Sequence, residues 1–133
     1  MTNASAPSTY MQKAETALSG ARLLLQAGDT DGACNRAYYA MFDAAHAALF
    51  ALGFEEPDAP IKTHNGLVGK FGQHLVRGDH FAAAHGEALN TVQRFRQMAD
   101  YSGESIRLED ATWALERADA FLVAVKAVLA RAR

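Results

Sequence analysis

The sequence predicts an all-α fold, an up-and-down antiparallel bundle of four main helices plus a shorter one, and three observations predict it. Apolar residues recur at steps of three and four through five successive stretches. No stretch alternates apolar and polar residues as a half-buried strand does. Glycine, proline and acidic residues punctuate the stretches at short intervals, so consecutive helices must double back on one another.

The first helix is expected to begin at Thr9, where Thr9 and Gln12 form a capping-box pattern. Its apolar stripe is Ala14, Ala17, Leu18, Ala21, Leu24 and Leu25, and Gly28-Asp29 ends it. The second helix spans about Thr30 to Leu52, carries Ala37, Met41, Ala45, Ala48 and Leu52 on one face, and stops at Gly53. Phe54 to Pro60, with two prolines and the acids Glu55, Glu56 and Asp58, reads as a surface loop.

A shorter helix starts near Thr63 and sets Leu67, Phe71 and Leu75 on one stripe. Gly66, Gly69 and Gly72 recur on it every third residue. Glycine lowers helix stability, so this face predicts close approach of another backbone. The fourth stretch runs from about His80 to Tyr101 with Ala88, Val92, Phe95 and Ala99 as its core line. The last is the clearest: Leu108, Ala111, Leu115, Ala118, Leu122, Val125, Leu129 and Ala132 form the seam of near-antiparallel packing.

Composition bounds the function classes. A chain of 133 residues, 50% hydrophobic, fits one domain over residues 9–133, with a flexible tail expected over residues 1–8. Met1 to Ser8 lack the basic start and apolar core of a signal peptide. A formal charge of −2 disfavours dedicated duplex-DNA binding, so any nucleic-acid contact needs a local patch. Cys34 has no partner for an internal disulfide, which suits a cytoplasmic protein. No apolar run is long enough to cross a bilayer, since charges interrupt the second and last helices. The five histidines lack metal-ligand spacing, and neither a Walker nor a dinucleotide glycine loop is present, so no metal and no cofactor is expected.

Three strings carry chemistry: Arg36-Ala37-Tyr38-Tyr39-Ala40, Lys62-Thr63-His64-Asn65-Gly66, and Arg96-Gln97-Met98-Ala99-Asp100-Tyr101. On the second helix Arg36, Tyr39, Asp43 and Phe50 fall opposite the main core line. They are either partly exposed surface or, as the better reading, an interface or a ligand cleft, because arginine and aromatic residues are enriched where proteins meet. On the fourth helix Arg96 is either an intrahelical partner of Asp100 or a cleft arginine that Asp100 orients toward a phosphate. Tyr101 lies about 140 degrees around the helix from Arg96, so the two converge only if the helix ends there. Lys62 and His64 flank Thr63, the expected N-cap; the plainer reading is a capped helix with solvated basic neighbours, the other an anion site.

Together the three strings resemble the HEPN family, small helical domains linked to nucleotides and RNA, in its stand-alone prokaryotic branch. The resemblance covers roughly residues 9 to 130. It implies a helical bundle that pairs as a homodimer and a nucleotide- or RNA-binding module, with Arg96, Asp100, Tyr101, Lys62 and His64 as the binding residues. It also implies a place in a two-gene system of toxin–antitoxin type, with a small nucleotidyltransferase as the separate partner.

Ribonuclease members of that family carry an arginine and then a histidine, with four to six residues between them. Here Tyr101, Ser102 and Gly103 occupy the positions five to seven after Arg96, and no other arginine has a histidine at that separation. Catalysis is therefore not carried over. Two alternatives stand beside the binding module: a divergent metal-independent endoribonuclease using Arg96, Asp100 and Tyr101, and a purely structural dimeric interaction protein.

Overall fold

Alanine dominates the central helix, and it sets how tightly its neighbours approach. A computed structural model describes residues 6–56 and 58–132 as an all-α bundle. Its helices are α1 (Ala6–Gln26), α2 (Thr30–Ala51), α3 (His64–Lys70), α4 (Ala83–Ser102) and α5 (Leu108–Arg131), with a π-helical turn, Phe71–Val76, continuing α3. Helix α2 packs on α1 and α5 and also touches α3 and α4. Ala33, Ala37, Ala40, Ala44, Ala45, Ala47 and Ala48 of α2 are all buried, small enough to admit helices on several sides.

Local signals set most helix ends. Asp29 caps α2 by accepting from the Gly32 N–H at 2.8 Å, and Thr63 caps α3 by accepting from the Gly66 N–H at 2.9 Å. Gly28, Gly53 and Gly103 follow α1, α2 and α4 with φ of 86°, 82° and 77°, a left-handed conformation that favours glycine.

The structure corrects five expectations. Helix α1 starts at Ala6, not Thr9, so residues 6–8 of the expected tail are helical; Pro7 fits because the first turn needs no partner for its missing N–H. Residues 1–5 of that tail lie outside the described residues. Helix α4 begins at Ala83 rather than His80, because Phe81 turns into the core against Phe71 at 5.1 Å, and the N–H groups of His80 and Phe81 both bond the Leu75 carbonyl. The loop after α2 is not wholly surface: Glu55 is buried. The α5 seam is centred differently, since Leu108 is 62% exposed whereas Ala114, Phe121 and Val128 are buried beside the expected residues. Finally, among the described residues no neighbouring backbone covers the glycine face of the third helix: a Cβ on Gly69 or Gly72 would meet no heavy atom within 4 Å, and one on Gly66 would meet only the side chains of Thr63 and Ile61.

Candidate functional site

Arginine carries five donors and cannot shed its charge, so burying one requires acceptors or an aromatic face. Arg96 of α4 is in that position. Its side chain is 15% exposed, and its guanidinium lies over the ring of Tyr38 at 4.9 Å and that of Tyr39 at 5.9 Å. Asp100, one turn later on α4, is 3.5 Å away, longer than a hydrogen bond, and its carboxylate is 55% exposed. The Arg96 Nε is buried with no hydrogen-bond partner among the described residues. The guanidinium is thus held by stacking, with donors left over.

Helix α2 supplies the rings and α3 supplies a histidine. His64, the first residue of α3, is placed by the Thr63 cap and pairs through Nδ1 with the Tyr38 hydroxyl at 2.7 Å. Its ring also packs on Tyr38, Tyr39 and Phe42 at 5.5, 5.7 and 4.7 Å. His64 and Arg96 therefore share the same two tyrosine rings. Burial, then the Arg96 charge and then His46, hold the His64 imidazole below its ordinary range and favour its neutral form. Burial pushes the Tyr38 phenol well above the usual tyrosine range against the opposing pull of Arg96, so Tyr38 stays protonated.

A second polar cluster sets the entry to α3. Glu55, whose side chain is fully buried, pairs through one oxygen with His46 Nδ1 at 2.8 Å and through the other accepts the Ile61 N–H at 2.8 Å. One carboxylate thereby ties both ends of the loop to α2, three residues before His64. The ring of Phe42 lies between the two histidines, 4.8 Å from His46 and 4.7 Å from His64.

The structure brings together only part of what the sequence singled out. Arg96, Tyr39 and His64 meet, and Asp100 stands at the edge. Tyr101 does not join them, because α4 continues through Ser102 and leaves it 87% exposed. Lys62 is exposed ahead of the Thr63 cap. Arg36 is exposed, lies over Tyr39 at 5.2 Å, and lines a groove of about 650 Å³ between α1 and α2 with Lys13 and Asp43. Burial raises the Asp43 carboxyl above its usual range, opposed by Lys13, His46 and Arg36. Phe50 stacks on Tyr10 at 5.4 Å, away from Arg96.

Sequence reasoning quoted Tyr38 within its string without giving it a role of its own, and it missed His46 and Glu55. The signal for Tyr38 was available: with Phe42 it forms an i,i+4 aromatic pair facing α3. Nothing within a helical turn marked Glu55, whose partners Ile61 and His46 stand six and nine positions away across a loop. Cys34 is inert, its thiol pushed up to about 12 by burial and by Asp31 and Asp110. Among the described residues no group of three or more His, Cys, Asp or Glu is placed to hold a metal ion, and no helix is long and apolar enough to cross a membrane.

A family model described as the HEPN domain matches residues 8–128. The chain is 36% identical over 93 residues to a UPF0332 protein of Gloeobacter violaceus, covering 70% of each chain. It is 28% identical over 123 residues to a UPF0332 protein of Thermotoga maritima, covering 90% of this chain and 88% of that one. It is also 28% identical over 116 residues to a protein of Methanocaldococcus jannaschii named "Putative toxin", covering 87% of this chain and 83% of that one.

Proposed function

The chain belongs to the HEPN domain family, and on that premise we propose that it is a phosphate-binding module for nucleotides or RNA, centred on Arg96. One observation carries this reading: a largely buried guanidinium stacked on Tyr38, with an unpartnered Nε and only a loose contact to Asp100. A structural arginine would spend its donors on carbonyls or a tight carboxylate. This one retains a planar fork of donors, the geometry that fits phosphate. His64 adds a neutral imidazole beside it, and Asp100 orients it from the rim. Lys62 and Tyr101 serve as outlying contacts that a longer ligand reaches.

In this reading the protein acts in the cytoplasm as a homodimer and as one half of a two-component system of toxin–antitoxin type, with a small nucleotidyltransferase as the other half. The relative named as a toxin supports that context. The Arg36, Tyr39, Asp43 and Phe50 face is the proposed contact surface.

The test is fluorescence anisotropy with a short labelled oligoribonucleotide of mixed sequence, read across salt concentration. Arg96→Ala should weaken binding about ten- to hundredfold, since hydrogen bonds to charged groups contribute roughly 1.5–3 kcal/mol each. The salt dependence should also become shallower, because fewer counterions are displaced. Binding that ignores Arg96 would overturn the reading.

A second reading is favoured by His64. Metal-independent RNA cleavage needs a base or acid beside a cation. The arginine–histidine spacing is missing from the sequence, but the fold sets His64 against the rings that hold Arg96. Cleavage by the purified protein in chelator, lost in both His64→Ala and Arg96→Ala, would promote this reading.

A further inference from the structure

A groove of about 630 Å³ lies between α4 and the α3–π segment, and its lining includes a carboxamide bridge in which Gln93 Nε2 donates to Asn65 Oδ1 at 3.1 Å. This bridge adjoins the arginine cleft: Asn65 follows His64 in α3, and Gln93 precedes Arg96 by about one turn of α4. The groove is large enough for a small organic ligand. It is lined by four carboxamides, Asn65, Gln73, Asn90 and Gln93. Its wall includes Gly69 and Gly72, where an added Cβ would meet nothing within 4 Å among the described residues.

Gly69 and Gly72 lower helix stability with no packing reason among the described residues. Part of the wall is the π-helical turn Phe71–Val76, an irregularity frequent at functional sites. The Asn65–Gln93 bridge uses one amide N–H of Gln93 and one lone pair of Asn65. Each carboxamide keeps both donor and acceptor capacity, whichever way the amides are turned. Adjacent donors and acceptors of this kind match the edge of an unpaired nucleobase.

We propose that this groove holds the nucleobase of the nucleotide whose phosphate sits at Arg96, with Gln93 and Asn65 on the base edge and Gly69 and Gly72 leaving room for the ring. The proposal rests on the phosphate reading of Arg96 and extends it. The site then takes a nucleotide with its base unpaired, whether free or within a single strand, and not a bare phosphate or a duplex backbone.

The test compares calorimetric titrations of the four ribonucleoside 5′-monophosphates with ribose 5-phosphate, which lacks a base. At least one nucleotide should bind about tenfold more tightly than ribose 5-phosphate, in line with a good base-edge contact. Gly69→Leu fills open space in a helix and should keep or raise the melting temperature. It should erase the nucleotide margin while leaving ribose 5-phosphate affinity unchanged. Gln93→Leu should erase the margin as well. No margin in the native protein overturns the proposal, as does a margin that survives Gly69→Leu. A change in sedimentation on Gly69→Leu with nucleotide affinity intact also overturns it, marking the groove as a protein contact. Ribose 5-phosphate binding that depends on Arg96 without any base margin sinks only the groove. Absence of ribose 5-phosphate binding, or binding indifferent to Arg96→Ala, removes the phosphate reading and the groove with it.

Discussion

Replacing Arg96 by methionine should remove most ligand affinity and leave the fold nearly as stable. Three contributions set the change in stability. Stacking of the guanidinium on Tyr38 at 4.9 Å and Tyr39 at 5.9 Å stabilises the native state by about 1–2 kcal/mol in a partly desolvated site. The contact to Asp100, whose carboxylate is 55% exposed, contributes only about 0.3 kcal/mol. Against these, a buried donor without a partner costs about 1–3 kcal/mol, and the substitution removes the Nε that bears this cost. A methionine thioether against the same rings recovers part of the stacking. The net change lies within about 1 kcal/mol of zero, or a shift of about 4 °C at most in melting temperature. Paired thermal melts and anisotropy titrations read both quantities. A loss above about 2 kcal/mol with ligand affinity retained would refute the reasoning and make Arg96 a structural lock.

Three other predictions follow from named contacts. Glu55→Leu leaves His46 Nδ1 and the Ile61 N–H without their buried partner, so urea unfolding should show a loss of about 3–5 kcal/mol, with a smaller loss for Glu55→Gln; a loss under about 1 kcal/mol would show that the carboxylate does not anchor the loop. For pH, burial together with Arg96 and His46 depresses the His64 pKa, and burial together with Arg117 depresses that of His85. The unfolded chain therefore takes up protons first as pH falls through 6.5, so stability should decline below that value until the lower folded pKa values are passed. The double variant His64→Gln, His85→Gln should flatten this stretch of the stability–pH curve, and an unchanged slope would contradict the assignment. Tyr39→Glu should weaken the proposed homodimer by placing an unpaired charge in its contact, and sedimentation velocity showing a native monomer at micromolar concentration would end that reading.

The helices were readable because their signals are short in range. The Asp29 and Thr63 caps each act over three residues, and the Gly28 and Gly53 stops act at one, so α2 begins at Thr30 as expected and α3 begins beside Thr63. The same local logic reached Arg96, whose spacing from Asp100 defines a pair on one helix face. It failed at Thr9, where a capping pattern lies inside a helix that begins at Ala6. It failed again at the glycine face of the third helix, because a period of three small residues looks the same whether a backbone or open space lies opposite.

Tertiary packing decided which side chains meet. Tyr38 and His64 stand 26 positions apart, and their 2.7 Å contact exists only because α3 returns alongside α2. Gln93 and Asn65, 28 positions apart, form their bridge in the groove wall because α3 and α4 pack together. Arg96 reaches the tyrosine rings across α2 and α4, which turned an intrahelical ion pair on paper into a stacked guanidinium with a free donor. Periodicity and caps record the energies of neighbours within a turn, and so they specify helices. The site is built from residues on three helices, whose relative placement depends on the summed burial of alanine, leucine and phenylalanine across the whole bundle.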